Sequence, residues 1–446
     1  MVRAADWETA FSVEAAARTR PDGVAVRAAG RDYSFADMAR LARDAWREMT
    51  PPPVGRPWVF TAGQDVRTIA RLYALLEHHV PMLPLSPKLT PRERETVLSA
   101  MKAVKTPLPP EAALVMFTSG TTGAAKPVVL TREALLANAR AVGEHLRMTA
   151  DDVWQLSLSP ARIGGLGIVT RSLAWRSTVA VAGRYDPQRF AESLERDCVT
   201  IASVVPAMLA DVLERLPQWR PPERMKAFLV GGSCLPAAVR REAVKRGCPV
   251  MATYAMTETA STVAMTPWNE RFSPQEVGCE PLPGAEIRLR QGEIEVRGAM
   301  TAWGIWGAAR HRPGTWLATG DAGEMISGRL VSARRRSDLL ISGGEKVLPD
   351  EVEHALEGID GVKEALVLGL PDEKWGVIVA ALIVPRTAPV PDSALVAALA
   401  DKLARYKCPR RVAWVTDLPR TTAGKLRRST EAAQGAAWTV LHYTTS

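Results

Sequence analysis

The sequence predicts an α/β protein: a large N-terminal domain of layered sheets and helices, followed by a small α+β unit that runs to the C-terminus. Three observations carry this expectation. Short apolar runs bounded by turn residues alternate with amphipathic segments along most of the chain, the pattern of βα units around largely parallel sheets. At 446 residues the chain is too long for one small core. After about residue 275 the pattern shifts to alternating apolar and charged residues, as a half-exposed strand pair requires.

Taken in order, SFADMARLARDAWREM (34–49) reads as an amphipathic helix, and the prolines at 51–53 and 107–110 read as loops. AALVMF (112–117) and PVVL (127–130) read as buried strands. Leu135, Ala139, Val142 and Leu146 then recur at helical spacing behind Thr131, a suitable N-cap. TVAVA (178–182), TIASVV (200–205), MKAFLVGG (225–232) and PVMATY (249–254) read as further strands, and PAAVRREAVKRG (236–247) as a helix. EIRLRQGEIEVRGA (286–299) is the half-exposed pair, and DEVEHALEGIDGVKEALVLGLPD (350–372) reads helix, turn, strand. This sets a boundary near Ser337–Asp338, giving domains 1–337 and 338–446. No internal repeat or low-complexity tract interrupts the pattern.

Composition narrows the function classes. Hydrophobic residues at 47% and charged residues at 24% are ordinary for a globular chain, and no apolar run reaches the length of a membrane span. The first twenty residues lack the apolar core of a secretory signal, so a cytoplasmic location without membrane insertion is expected. Cys198, Cys234, Cys248, Cys279 and Cys408 are scattered and form no CxxC pair, which argues against a disulfide framework or zinc site. His78–His79 is no metal-ligand spacing. The net charge of +9 is spread along the chain rather than gathered in a basic stripe, favouring an anionic small molecule over nucleic acid.

Five segments carry chemistry. In MFTSGTTGAAKPVVLT (116–131), Thr118, Ser119, Thr121 and Thr122 supply donors, Gly120 and Gly123 allow close backbone approach, and Lys126 adds a mobile charge. Lys126 is followed by proline and a strand, so the segment is no Walker A loop; it reads as an anion cradle or as a solvated hairpin. In TYAMTETAST (253–262), Tyr254 closes a strand and Glu258 follows, an arrangement for stacking a base and holding Mg²⁺ on phosphates, or a turn with a solvated glutamate. LATGD (317–321) puts Asp321 after a turn, where its two oxygens suit a ribose diol. Arg336-Ser337-Asp338 precedes a loop with Gly343 and Gly344, and PRTTAGKLRR (419–428) sets Lys425 in a glycine-containing loop. Each of the last three would pass alone as a surface loop.

Together, in this order, the five resemble the adenylate-forming superfamily of acyl-CoA synthetases, nonribosomal adenylation domains and luciferases, over nearly the whole chain. TSGTTGAAKP resembles the family's phosphate loop, YAMTE its adenine and magnesium motif, TGD its ribose aspartate, RSDLLISGGEKVLPDEVE its hinge region and PRTTAGK its catalytic lysine loop. The resemblance implies the adenylate-forming fold with a small mobile C-terminal domain. It also implies ATP, Mg²⁺ and coenzyme A as reactants and cofactors. Thr118 to Lys126 would hold the β- and γ-phosphates, with Thr118 among the catalytic residues. Glu258 would hold Mg²⁺. Gly231, Gly232, Ser233, Tyr254 and Thr257 would frame the nucleotide, while Asp321 and Arg336 would take the ribose. Lys425 would bridge carboxylate and α-phosphate. Rotation about Asp338 would then withdraw it and bring Gly343–Gly344 to the thiol.

The short length, YAMTETASTV and ARIGGLGIVTRSLAW (161–175) are similar to the o-succinylbenzoate–CoA ligase branch, which serves menaquinone synthesis. Two departures, Ser159-Pro160-Ala161-Arg162 and Ala255, fall near the expected acyl pocket, which would also include Gly165. Such a dicarboxylate leaves one carboxylate to be recognised. Arg162, with Arg171 as the second choice, is the expected partner, against a solvent-facing or coenzyme A-facing Arg162. The alternatives are a ligase for another aryl acid, of anthranilate or benzoate type, loading coenzyme A or a carrier protein, and a nucleotide-binding homologue without turnover.

Overall fold

The chain is seen in a computed structural model that describes residues 7–89, 91–118, 126–183, 185–232, 235–308, 310–312, 314–335, 340–342, 345–372, 376–403, 405–420, 426–428 and 433–443. It divides into two compact units, one of residues 1–319 and 323–333, the other of residues 320–322 and 334–446.

The chain begins with α1 (Val13–Thr19), β1 (Val24–Ala28), β2 (Arg31–Ser34) and α2 (Phe35–Glu48). Ser34 caps α2 in a capping box with Asp37, as the serine before an apolar-periodic run suggests. Then follow β3 (Trp58–Thr61), α3 (Val66–Glu77), β4 (Met82–Leu85), α4 (Pro91–Ala103), β5 (Ala112–Thr118), β6 (Lys126–Thr131) and α5 (Arg132–His145). The expected N-cap of α5 is present: Thr131 accepts the Ala134 N–H. Next come β7 (Val153–Leu156), α6 (Ile163–Trp175), β8 (Thr178–Val181), α7 (Pro187–Arg196), β9 (Ile201–Val204), α8 (Pro206–Arg215), β10 (Ala227–Val230), α9 (Ala237–Lys245) and β11 (Val250–Met256). After a short 3-10 turn, Thr257–Thr259, come β12 (Ser261–Met265), β13 (Glu280–Pro281), β14 (Ala285–Arg290), β15 (Glu293–Gly298) and β16 (Gly304–Ile305). Two longer strands follow, β17 (Leu317–Ile326) and β18 (Arg329–Arg335).

Among the described residues these strands form three sheets. The largest has nine strands in the order β13-β12-β11-β10-β9-β7-β8-β1-β2, parallel from β11 through to β1. Its inner strands are buried along their length, which is why they read as unbroken apolar runs. A five-stranded sheet, β16-β6-β5-β4-β3, holds the β5–β6 hairpin, with Thr118 opposite Lys126. A four-stranded sheet, β14-β15-β17-β18, contains the half-exposed pair expected at 286–299.

Helices α5 and α6 pack on each other and on β12. Gly143 makes the first contact close, since a Cβ there would lie 2.1 Å from the Trp175 indole, whose Nε1–H donates to Ala139 O. Helix α6 is buried from Gly165 to Trp175, in keeping with its nearly all-apolar sequence.

The second unit contains β19 (Leu340–Ser342), β20 (Glu345–Val347), α10 (Pro349–Glu357), β21 (Val362–Asp372), β22 (Gly376–Pro385), α11 (Asp392–Lys402), β23 (Arg411–Trp414) and β24 (Thr439–Val440). The helix–turn–strand expected at 350–372 is α10 followed by β21. Strands β21 to β24 form one sheet in sequence order, closed on one face by Val352, Leu356, Leu395 and Leu399.

Candidate active site

Parallel strands gather their carboxyl ends on one edge, and α/β sheets bind ligands outside that edge. In the nine-stranded sheet the segments leaving those ends are Ser157–Arg162 after β7, Gly231–Gly232 after β10 and Thr257–Thr259 after β11. Three motifs separated by up to about a hundred residues are thereby assembled by topology alone.

Gly231 and Gly232 are glycines for separate reasons. A Cβ on Gly231 would lie 2.3 Å from Thr253 Oγ1, and Gly232 holds φ at +88°. Strand β11 runs past Tyr254 to Met256, two residues further than its apolar run suggests, because β12 returns antiparallel beside it. Tyr254, Thr257 and Glu258 are half-buried. The turn bearing Glu258 is held from two sides. Ala302 N–H donates to the Glu258 carbonyl at 2.7 Å, and the turn packs against β6, whose first residue is the exposed Lys126. Among the described residues no cation pairs with the Glu258 carboxylate.

Behind Glu258 the backbone is strained. Ala260 sits at φ +52° and Ser261 at φ +109°, each a left-handed position for a residue with a Cβ. The fully buried Thr259 hydroxyl donates to Ser261 O at 2.7 Å, closing the turn locally. Asn138, 2% exposed on α5, closes it from outside, its Nδ2 donating to Thr262 O at 2.8 Å and Thr259 O at 3.2 Å.

The other end of the Asn138 amide faces Arg171. Oδ1 accepts from Arg171 Nη2 at 2.6 Å and Nε at 3.2 Å. Arg171 lies inside α6, 2% exposed, its guanidinium 5.6 Å from the Trp154 ring and against Gly167, where a Cβ would sit 3.0 Å from Cζ. Desolvation pulls its pKa down to about 9, and among the described residues no carboxylate compensates it. Arg162, the first choice from sequence, is instead the exposed N-cap residue of α6 and makes no capping bond with its side chain. Gly165 has a packing reason of its own: a Cβ would fall 2.2 Å from Ser159 O and 2.5 Å from Leu158 O.

Sequence reasoning missed Asn138 and ranked Arg171 second, although both carried a signal. Asn138 occupies the core-facing register of α5 between Leu135 and Val142, and Arg171 is the one charged residue in IGGLGIVTRSLAW.

One placement needs correction. Asp321 does not follow a turn; it lies within β17, 7% exposed. The glycine read as a turn signal, Gly320, adopts φ +74° inside the strand, where Thr319 Oγ1 still donates to Ile294 O.

Ser119, Gly120, Thr121, Thr122, Gly123, Ser233, Arg336, Asp338, Gly343, Gly344 and Lys425 lie outside the described residues, as does the Thr118 side chain. The stem flanking Lys425 is described. Arg420 and Leu426 form an antiparallel bridge, and Arg427 N–H donates to Pro419 O at 2.8 Å. Arg420 reaches Glu364 at 2.8 Å, and Arg428 binds Asp350 at 2.5 Å and Glu353 at 2.6 Å. Burial pushes the Glu353 carboxyl up to about 7 against the opposing pull of Arg428 and the Val367 N–H.

The family model for AMP-binding enzymes matches residues 86–306, and that for the AMP-binding enzyme C-terminal domain matches residues 351–425. The 2-succinylbenzoate–CoA ligase of Bacillus mycoides (strain KBAB4) is 33% identical over 333 residues, 71% of this chain and 69% of that protein. Among solved structures, o-succinylbenzoate CoA synthetase from Bacillus subtilis in complex with the acyl-adenylate intermediate OSB-AMP aligns over 96% of this chain and 97% of its own, at 27% identity and TM-score 0.81. The same synthetase in complex with ATP and magnesium ion aligns over 94% and 98%, at 26% identity and TM-score 0.82. Two matches in chain order, one in the sheets that gather Gly231, Tyr254 and Glu258 and one from α10 to the Lys425 loop, agree with these relatives: the chain belongs to the AMP-binding enzyme family.

Proposed function

We propose that this protein is an acid–thiol ligase that activates 2-succinylbenzoate with ATP and transfers the acyl group to coenzyme A. The observation that carries the choice of acid is Arg171. Among the described residues the buried guanidinium meets a neutral amide and an aromatic ring but no anion, so its charge is left for an anion to neutralise. An acid with a second carboxylate brings that anion, and the guanidinium lies one side chain away from the turn that bears Glu258. Arg162, at the exposed start of α6, is left for solvent or for the phosphates of coenzyme A.

In the first half-reaction a carboxylate oxygen attacks the α-phosphorus of ATP. An acyl–O–P bond forms, the α–β anhydride bond breaks, and pyrophosphate leaves with its electron pair. Both reactants are anions, so the site must cancel charge before they meet. The loop from Thr118 through Ser119, Gly120, Thr121, Thr122 and Gly123 to Lys126 cradles the β- and γ-phosphates. Glu258 fits a Mg²⁺ ligand, being half-buried and without a cationic partner among the described residues. Mg²⁺ held there would neutralise phosphate charge. Gly231, Gly232, Ser233, Tyr254 and Thr257 frame the nucleotide, Asp321 and Arg336 take the ribose hydroxyls, and Lys425 bridges the attacking carboxylate and the α-phosphate.

In the second half-reaction the sulfur of coenzyme A attacks the acyl carbonyl, the C–S bond forms, the acyl–oxygen bond breaks, AMP leaves with its electron pair and the thiol proton is released to solvent. We assign Asp338 the role of hinge between the two steps, between domains 1–337 and 338–446, and Gly343–Gly344 a role in the thiol step. Cysteines scattered along the sequence without a CxxC pair suit a cytoplasmic enzyme.

The test is pyrophosphate release over a panel of aryl acids with and without coenzyme A, run beside Lys425→Ala. Release is expected with 2-succinylbenzoate, and a panel answered only by monocarboxylic acids would reject the substrate. Lys425→Ala should lower ATP–pyrophosphate exchange on the order of 10²- to 10³-fold yet still make thioester from preformed acyl-adenylate. Full exchange in that variant would remove Lys425 from its role.

A further inference from the structure

Asn138 uses its whole amide. Both donor contacts go to main-chain carbonyls of the Glu258 turn, Thr259 O and Thr262 O, and its acceptor takes two N–H groups of Arg171. The turn is one that left-handed Ala260 and Ser261 would relax if released. The guanidinium, buried and facing no carboxylate among the described residues, would lose its in-plane orientation without the Oδ1 fork. An amide alone can serve both neighbours, because one needs an acceptor and the other a donor. A carboxylate would meet two carbonyls with its second oxygen, and an apolar residue would leave every one of these groups buried and unmet.

We propose that Asn138 is a positioning residue that orients Arg171 in the acyl pocket and fixes the turn bearing Glu258, coupling acid recognition to Mg²⁺–nucleotide binding through one side chain. The proposal rests on the reading of Arg171 and Glu258 given above. Because one amide holds both groups, a change at Asn138 should be felt at both ends.

The experiment uses the full chain with Asn138→Asp, which keeps shape and acceptor but supplies a charge to Arg171 and removes the donors. Steady-state rates are measured against 2-succinylbenzoate and, separately, against free Mg²⁺ at saturating ATP. Expected are a rise in KM for the acid of about tenfold and a rise of several-fold in the Mg²⁺ concentration giving half the maximal rate, with kcat at saturation within about threefold. A purely structural amide would lower kcat by loss of active protein and leave both midpoints where they were; that result overturns the proposal. A shift in one midpoint without the other overturns the coupling. Should Asn138→Asp fail to fold, Asn138→Ala is read in the same two assays against the same expectations. Arg171→Leu separates the proposal from the reading beneath it. If that variant keeps the wild-type KM for the acid, the acid-pocket reading fails and the Mg²⁺ midpoint alone decides Asn138. Wild-type protein that does not turn over 2-succinylbenzoate overturns both before any substitution is made.

Discussion

Replacing Arg171 by leucine should leave the protein folded while removing most of its activity on the dicarboxylate. Desolvation lowers the guanidinium pKa to about 9, which corresponds to a cost of about 5 kcal/mol in the folded chain. Against it stand two hydrogen bonds from a charged donor to Asn138, about 2 kcal/mol each, and a cation–π contact with Trp154 of about 1 kcal/mol. The buried cation is therefore near break-even for stability. Leucine removes both sides of that balance, gains about 2 kcal/mol from burial and leaves Asn138 Oδ1 without its donors at about 1–3 kcal/mol. The net change should stay within about 2 kcal/mol. Loss of a forked charge-assisted pair to the second carboxylate, about 3 kcal/mol, should lower kcat/KM for 2-succinylbenzoate roughly 100-fold. Urea denaturation and initial rates on one preparation read both quantities. Destabilisation beyond about 4 kcal/mol would make Arg171 a structural cation, and an unchanged kcat/KM would remove it from the acid site.

Two further outcomes are expected. Burial raises the Glu353 carboxyl from 4.5 to about 7, so folding favours its protonated form. The stability this group contributes is fully present below pH 4.5 and is lost as pH rises through about 7. Glu353→Gln should flatten the melting temperature across that window, and a variant that keeps the wild-type slope would refute the assignment. Gly165→Ala brings a Cβ within 2.2 Å of Ser159 O and should cost about 1–3 kcal/mol by displacing the segment after β7. KM for the acid should rise with KM for ATP little changed, and equal changes in both would show that the segment does not serve the acid.

Much of the fold was legible because its inner strands are buried on both faces. AALVMF, TIASVV and MKAFLVGG could hardly be anything else once bounded by turn residues, and Thr131 marked the start of α5 through the one hydroxyl its amide groups needed. Strand β7 was less visible. Its sequence, VWQL, is short and contains a glutamine, and only the structure shows Gln155 fully buried. Asp321 was misplaced for a related reason: Gly320 is a turn residue by type, yet here its positive φ makes an irregularity inside a strand whose neighbours supply the register. The site motifs were readable because they are contiguous. The Arg171–Asn138–Thr262 chain was not, since its members are 33 and 124 residues apart and meet only when α5 and α6 pack on β12.

The local rules broken in the large unit are broken together. A lone arginine in an apolar helix, an asparagine on a core face and two left-handed residues with Cβ atoms would each lower stability if isolated. Joined, they satisfy one another through a single amide, which leaves two groups still without a counter-ion among the described residues: Arg171, positive, and Glu258, negative. A core assembled only for packing would have no reason to hold the charge of Arg171, because an apolar residue of similar size would do as well there. The arrangement makes sense if the missing partners arrive with the reactants. An anionic group would complete Arg171, and a cation carried on a nucleotide would complete Glu258. A dicarboxylic acid and Mg²⁺–ATP satisfy both demands at once, and a monocarboxylic acid, whose single carboxylate is consumed in the bond to phosphorus, would leave the first unmet.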